Sequence, residues 1–180
     1  MVLHSSSVLG LNLPSDRLDA LDRKILEHLQ SDGRVSNQDL SEAVGLSPSP
    51  CLRRVRQLEE DGVITGYVAL VSPEAVGLPV SAFVRVRLAS QDDRHLAEFE
   101  REIISFPEVM ECYLMTGDSD YQLRVLVGSL AAFEDFLRHK LTRIPAVAGV
   151  NSSFALRPIV YRTALPVSLA AGQPAAKKSR

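Results

Sequence analysis

The first third of the chain carries apolar residues at helical spacing, in three blocks separated by polar or glycine-containing segments. Residues three or four positions apart share one face of a helix, so each block predicts one helix with a buried face. Gly33 and Gly45 follow the first two blocks, as expected where helices end. The apolar positions are Leu18, Leu21, Ile25 and Leu29, then Leu40, Ala43 and Val44, then Cys51, Leu52, Val55 and Leu58.

The third block, SPSPCLRRVRQLEEDG at residues 47–62, predicts a helix that begins with prolines. Ser47 is a suitable N-cap, which places Pro48 and Pro50 in the first turn. Backbone N–H groups there have no partner within the helix, so proline loses no hydrogen bond. Gly62 ends the helix, and within this block no acidic residue precedes Glu59. The side opposite the apolar face is therefore polar and basic.

Two short helices joined by a glycine turn and followed by such a helix predict a helix-turn-helix (HTH). In this motif the later helix enters the major groove, where Arg and Gln read base edges and the helix N-terminus favours phosphate. The candidate DNA-binding residues are Ser47, Ser49, Pro50, Arg53, Arg54, Arg56 and Gln57. The alternative for this helix is a solvated amphipathic helix with a cluster of arginines. Residues 63–71, VITGYVALV, predict a strand or hairpin, as in winged versions of the motif.

The second half of the chain alternates between the strand period and the helix period. Its order predicts an α+β domain with the ferredoxin-like succession β-α-β-β-α-β. Such a sheet has helices on one face only, and an identical subunit is the simplest partner for the other face. The predicted strands cover residues 80–88, 109–115, 121–127 and 150–156. The predicted helices contain Leu96, Phe99, Ile103 and Phe106, ending at Pro107, and Phe133, Phe136, Leu137 and Leu141, ending near Pro145.

The turn TGDSD at residues 116–120 is a candidate site for a small zwitterion. Asp118 and Asp120 supply carboxylates for an ammonium group, and Gly117 allows close approach of backbone. Ser152 and Ser153 on the last predicted strand add hydroxyl groups. From the residues alone, Gly-Asp-Ser-Asp is equally a good turn without a ligand. No further cluster of ligands accompanies the two aspartates, so a metal site is not predicted.

Net charge, the absence of recognisable targeting segments, and the cysteines and histidines limit the classes of function further. The 180 residues carry a net charge of −2, so binding to DNA must use a local basic surface; residues 157–180 hold five Lys or Arg and no acid. Neither a secretory signal nor a membrane-spanning run is recognised, which predicts a cytoplasmic protein. The two cysteines, 61 positions apart, are expected to be reduced thiols. His4, His28, His95 and His139 occur singly, and no nucleophile–base pair or cofactor motif indicates an enzyme.

Three segments together give the chain a resemblance to a known family. LDALDRKILEHLQSDGRVSNQDLSEAVGLSPSPCLRRVRQLEEDGVITGY (18–67), ECYLMTGDSDYQLRV (111–125) and IPAV (144–147) resemble the leucine-responsive regulator/asparagine regulator (Lrp/AsnC) family of bacterial and archaeal transcription factors. The resemblance covers about residues 18–162. It implies an N-terminal winged HTH and a C-terminal ferredoxin-like ligand-sensing domain.

The resemblance also implies how the protein works. Family members form dimers that assemble into octamers or larger rings, and an amino acid often binds between dimers near the GDSDY turn. The effector-binding residues implied here are Gly117, Asp118, Asp120, Tyr121, Ser152 and Ser153. We expect Asp120 to face the ammonium group, and Asp118 to serve mainly the turn. The alternative within the family is a global, DNA-wrapping architectural protein with little dependence on an effector.

These patterns predict five segments along the chain. A flexible arm (1–17) precedes the HTH domain (18–66). A linker (67–79) leads to the effector-binding and oligomerisation domain (80–162), and a flexible basic tail (163–180) follows.

Overall fold

The computed structural model describes residues 18–168, and these form two compact units. One unit is Leu70–Ile159. The other, the HTH unit, comprises residues 18–69 together with residues 160–168. The predicted N-terminal arm (1–17) and residues 169–180 of the predicted basic tail lie outside the described residues.

The HTH unit contains the three predicted helices, α1 (Ala20–Ser31), α2 (Asn37–Val44) and α3 (Pro48–Glu60). Ser36 caps α2 by accepting a hydrogen bond from the Asp39 N–H, and Gly45 ends the helix with φ 74°, a conformation that favours glycine. The helices enclose one small core of buried side chains, formed by Ile25, Leu26, Leu40, Val44, Cys51 and Leu58.

An ion-pair cluster joins the start of α1 to the middle of α3. Asp19 is the N-cap of α1 and forms a reciprocal capping box with Asp22. Both carboxylates also accept hydrogen bonds from Arg54 Nη1, at 2.8 Å to Asp19 Oδ2 and 2.7 Å to Asp22 Oδ1. The two helices are therefore held together by charge as well as by their apolar faces.

The structure contradicts the predicted strand or hairpin at residues 63–71. Residues 63–79 contain no strand, although a single 3₁₀ turn occurs at Glu74–Val76. Val63 and Ile64 N–H groups both bond to the Leu58 carbonyl, at 2.9 and 3.0 Å, which continues the end of α3. Val68 is 85% exposed. A β pattern needs a neighbouring strand to satisfy its N–H and C=O groups, and no described strand pairs with this segment.

The other unit has the predicted ferredoxin-like succession and an antiparallel sheet in the order β2-β3-β1-β4. Strands β1 and β3 begin and end where the alternation predicts. The last strand begins three residues earlier than expected and ends two earlier. The elements are β1 (Val80–Leu88), α4 (Asp93–Ile103), β2 (Val109–Leu114), β3 (Tyr121–Val127), α5 (Leu130–His139) and β4 (Val147–Phe154).

Helices α4 and α5 cover one face of this sheet. Phe99 from α4 and Phe136 from α5 are buried against inward side chains of the central strands, including Val84 and Leu123. The opposite face, called the open face below, carries side chains that no described helix covers. Among them, Phe83 is 42% exposed. The packing thus leaves a sheet with one dry face and one face open to solvent, as the sequence predicts.

The capping cluster generates a test of stability. Asp19→Ala should destabilise the HTH unit by about 1–2 kcal/mol, because it removes both the N-cap and an acceptor for Arg54. Asp19→Asn is the matched control: it keeps a good N-cap and should cost only about 0–1 kcal/mol for the exposed ion pair. Amide hydrogen exchange in α1 and α3 measures both values. Equal effects of the two substitutions would contradict the role of the cap.

The same carboxyl predicts a pH dependence. Hydrogen bonds from the Asp22 backbone, followed by the Arg54 side chain, hold the pKa of Asp19 below its ordinary value. A carboxyl whose pKa is lowered on folding stabilises the fold above its unfolded pKa, about 4. The difference in stability between the parent and Asp19→Asn should therefore be present at neutral pH, decline below that value, and be lost as the pH falls through the lower pKa of Asp19 in the folded chain.

Candidate functional site

The outward face of α3 forms a shallow groove of about 370 Å³. It is lined by Ser49, Leu52, Arg53, Arg56, Gln57 and Glu60. Arg53 and Arg56 are exposed, one turn apart, and neither makes an ion pair with any residue in the described range 18–168. Because two unpaired guanidinium groups lie beside small and polar side chains, the groove can receive phosphate oxygens or base edges.

Four of the seven predicted DNA-binding residues meet in this groove: Ser49, Arg53, Arg56 and Gln57. Ser47 takes the predicted N-cap position of α3, but its side chain makes no capping hydrogen bond. Pro50 is half-buried in the first turn. Leu52, expected on the buried side, instead lies in the groove and is 38% exposed.

Arg54 differs from the other two arginines of α3. Its guanidinium donates hydrogen bonds to Asp22 and Asp19, and these bonds, the one to Asp22 first, raise the pKa of Arg54. The three arginines of α3 have no acidic neighbour in the sequence, but the fold brings Asp19 and Asp22 to Arg54. In the fold, Arg54 is neutralised by α1, so its geometry favours holding α3 in place over contacting DNA.

The other unit contains a second pocket, of about 310 Å³, at the open face of the sheet. Arg85 and Arg87 of β1 lie opposite Asp118 and Ser119 of the β2–β3 turn. Gly149, Val150 and Asn151 of β4 complete the wall. The pocket thus places two cationic groups and one carboxylate around a volume suited to a small molecule.

The backbone explains why these groups converge. Arg85 is directly opposite Asn151 in the β1–β4 register, and its Nη2 donates to Asn151 Oδ1 at 3.2 Å. Arg87 is opposite Gly149, and its guanidinium lies beside that glycine: a Cβ added at Gly149 would be 3.6 Å from Nη2, in ordinary van der Waals contact. Gly117 has φ 116° and allows the turn that carries Asp118.

Asp120, which is expected from the sequence to face the ammonium group of a ligand, has a carboxylate that is buried within the chain. It is 5% exposed, and its carboxylate accepts hydrogen bonds from the Leu88 N–H at 2.7 Å and Gln91 Nε2 at 2.6 Å. Its own N–H donates to the Val86 carbonyl. The carboxylate therefore ties the turn to the end of β1, and Asp118, expected to serve the turn, is the one that lines the pocket.

Tyr121, Ser152 and Ser153 also lie away from the pocket lining. Tyr121 is 1% exposed, stacks on Phe99, and donates its hydroxyl hydrogen bond to Glu100 Oε1 at 2.8 Å; burial and then this bond raise the pKa of Tyr121. Ser152 is opposite the buried Val84. Ser153 is opposite Phe83 on the open face.

Sequence reasoning missed Arg85, Arg87, Ser119, Gly149, Val150 and Asn151. A signal for the two arginines was present, because both occupy outward positions in the alternating pattern of β1. Adding Asn151 required the register of β4 against β1, which one strand pattern does not reveal.

Residues 18–168 also bear on metal binding, thiol chemistry and membrane insertion. No group of three or more His, Cys, Asp or Glu side chains in this range is placed to hold a metal ion. Cys51 and Cys112 are free thiols, and burial raises the pKa of Cys51. No helix in the range is long and apolar enough to cross a bilayer.

Two family models match the two halves of the chain. Residues 18–65 match a winged helix-turn-helix DNA-binding model, and residues 81–165 match the Lrp/AsnC ligand binding domain. The chain is 50% identical over 150 residues to the Bkd operon transcriptional regulator of Pseudomonas aeruginosa, covering 83% of this chain and 98% of that protein. It is 44% identical to the leucine-responsive regulatory protein of Rhizobium meliloti, covering 79% and 91%.

Solved structures give the same result. A transcriptional regulator from Neisseria meningitidis, in complex with L-Met, superposes with a TM-score of 0.81 at 41% identity, covering 84% of this chain and 98% of that one. An AsnC family regulator from Agrobacterium tumefaciens gives 0.80 at 44% identity, covering 84% and 99%. The relatives are DNA-binding regulators and not enzymes. The chain therefore belongs to the Lrp/AsnC family and is a transcriptional regulator of that type.

Proposed function

We propose that this regulator binds operator DNA in a sequence-specific manner through α3, and that an amino acid in the open-face pocket changes its DNA binding or its assembly. The observation that carries the DNA-binding part is the α3 groove, in which Arg53 and Arg56 have no intramolecular ion pair in the described chain. The same helix is held in place by Arg54, which leaves its outward face available.

The effector part rests on the charges around the second pocket. A free amino acid carries a carboxylate and an ammonium group. Arg85 and Arg87 offer guanidinium groups for the carboxylate, and Asp118 offers a carboxylate for the ammonium group. Since a related regulator was solved with L-Met, L-methionine is the first effector to try, followed by the other common amino acids.

Assembly through the open face is the third part of the proposal. Phe83 and Tyr113 are exposed on this face although they belong to strands, and burial of such side chains would stabilise contact with a second copy. Closed, even-numbered homo-oligomers follow most simply from a self-complementary sheet face. The pocket opens on that face, so a neighbouring copy would shield the bound effector from water.

The family alternative, a broadly DNA-wrapping protein, makes a different prediction for occupancy. A sequence-specific regulator should protect a limited set of promoters, and its occupancy should change when the effector is supplied. Genome-wide footprinting with and without L-methionine separates the two. Many sites of similar occupancy, unchanged by every amino acid, would favour the architectural role.

Arg53→Ala and Arg56→Ala should each weaken operator binding and leave the fold intact. An arginine that reads a base should cost about 1–3 kcal/mol and relax specificity at one position. One that binds phosphate should weaken all sequences alike and lower the salt slope by about one. Gel shifts across a salt series measure this, with Arg101→Ala on α4 as the control. Unchanged affinity in both α3 variants would overturn the assignment of the recognition helix.

Asp118→Asn should weaken binding of the cognate amino acid by about tenfold or more, because a charge-assisted hydrogen bond to the ammonium group is lost. Operator binding without effector should not change. Titration calorimetry and gel shift measure the two properties. Asp120→Asn is the comparison: its buried hydrogen bonds to Leu88 and Gln91 predict loss of stability of the turn. Parent-like ligand affinity in Asp118→Asn would place the effector elsewhere.

Phe83→Glu should lower the oligomeric state of the full chain, because it places a charge at the centre of the open face. Light scattering at micromolar concentration should show an even-numbered oligomer for the parent. Ile104→Glu is the matched control, an exposed apolar residue at the end of α4 on the helix-covered side of the sheet. A monomeric parent, or equal behaviour of the two variants, would contradict assembly through the open face.

A further inference from the structure

Residues 160–168, called the C-terminal strap below, belong to the HTH unit, although they follow β4 of the other unit directly in the chain. The strap has no helix or strand. Gln30, near the end of α1, fixes it with a reciprocal pair of hydrogen bonds: Nε2 donates to the Leu165 carbonyl at 3.0 Å, and Oε1 accepts from the Leu165 N–H at 2.6 Å. One amide side chain thus satisfies both backbone groups of one strap residue.

A second anchor lies two residues further on. Val167 is half-buried and packs against the apolar core of the HTH unit. A hydrogen bond from its N–H to the Leu165 carbonyl, at 2.9 Å, tightens the backbone between the two anchors. The neighbouring side chains Tyr161 and Leu165 stay exposed. The strap is therefore held at two points and not along its whole length.

The strap is joined in the chain to strand β4 of the other unit, and it contacts helix α1 of the HTH unit. Strand β4 contributes Gly149, Val150 and Asn151 to the effector pocket and ends at Phe154. The strap begins six residues after the strand ends and returns to α1. The chain therefore passes from one unit to the other twice, once near residues 69–70 and once near residues 159–160. The second crossing follows strand β4, which carries part of the pocket wall, in the chain.

We propose that the C-terminal strap is a releasable tether through which β4 restrains α1, and that it passes the effector signal from the pocket to the DNA-binding unit. This inference rests on the proposed function for the identity of the signal, but the docking of the strap is independent of it. Two hydrogen bonds and one half-buried valine form an attachment that local opening can break without unfolding either core. A tether of this kind changes the freedom of the HTH unit, and hence its DNA binding, without touching DNA.

Docking is tested first, in the protein without effector. A chain ending at Arg162 lacks both anchors, whereas a chain ending at Ser168 keeps them and is the matched control. Amide hydrogen exchange in the last turn of α1 should be at least about fivefold faster in the shorter chain and parent-like in the control. Equal exchange in the two chains would overturn the proposal.

Signal transfer is tested with point variants in the full chain. Gln30→Ala and Val167→Asp release the strap from opposite sides, and neither changes the α3 groove or the pocket. Both should keep the parent's affinity for L-methionine, or for whichever of the twenty amino acids binds the parent. Both should reduce the effector-induced change in operator affinity at least about fivefold. Gln38→Ala is the control, since within residues 18–168 that side chain donates a hydrogen bond to Glu42 on its own helix and none to the strap.

The outcomes separate the tether from the proposed function. A parent that responds to an amino acid, with Gln30→Ala and Val167→Asp responding equally well, overturns the tether and leaves the function intact. A parent that binds operator DNA but responds to none of the twenty amino acids overturns the effector part of the function, and with it the signal assigned to the strap. A response lost in both strap variants and kept in Gln38→Ala supports the tether.

Discussion

The alternation of side chains along β1 is the constraint on which the sheet, the pocket and the open face all depend. This strand lies between β3 and β4, so its inward residues anchor the core under both helices. Val84 and Val86 are fully buried, while Arg85 and Arg87 point to the opposite side and line the pocket. A slip of one residue would exchange the two sets and bury two guanidinium groups. Core stability and the position of the binding groups are therefore fixed by the same register.

Asp118 and Asp120 show how two carboxylates of one turn can have surroundings that the local pattern does not reveal: Asp118 lines the open-face pocket, whereas Asp120 is buried. Sequence reasoning assigns the ammonium group to Asp120, because that residue adjoins β3, and leaves Asp118 to the turn. The carboxylate of Asp120 accepts hydrogen bonds from the Leu88 N–H and the Gln91 side chain. These partners lie about thirty positions away in the chain, where no turn signal reaches. A buried carboxylate next to a strand needs hydrogen-bond partners within the protein, and these partners leave it without a free oxygen for a ligand.

The fold itself was largely predictable, because helix and strand periods are local. Strands β1 and β3 and the start of α3 at Pro48 follow from their own residues. Arg54 was not predictable, since its partners Asp19 and Asp22 belong to another helix. Residues 63–71 have the right composition for a strand but no described strand pairs with them. Local pattern thus predicts elements, whereas ion pairs, register and pocket walls depend on partners distant in sequence.

If the proposed function is correct, the exposure of the pocket to water limits how strongly an isolated chain can bind an amino acid. Charge pairs that water can reach are worth little, so Arg85, Arg87 and Asp118 would hold a zwitterion only weakly in an isolated chain. A second copy on the open face would exclude water and strengthen the same pairs. By linkage, an effector that binds better in the assembly must stabilise the assembly by the same factor. Affinity for the amino acid should then depend on protein concentration, which ties sensing to oligomerisation without any additional binding group.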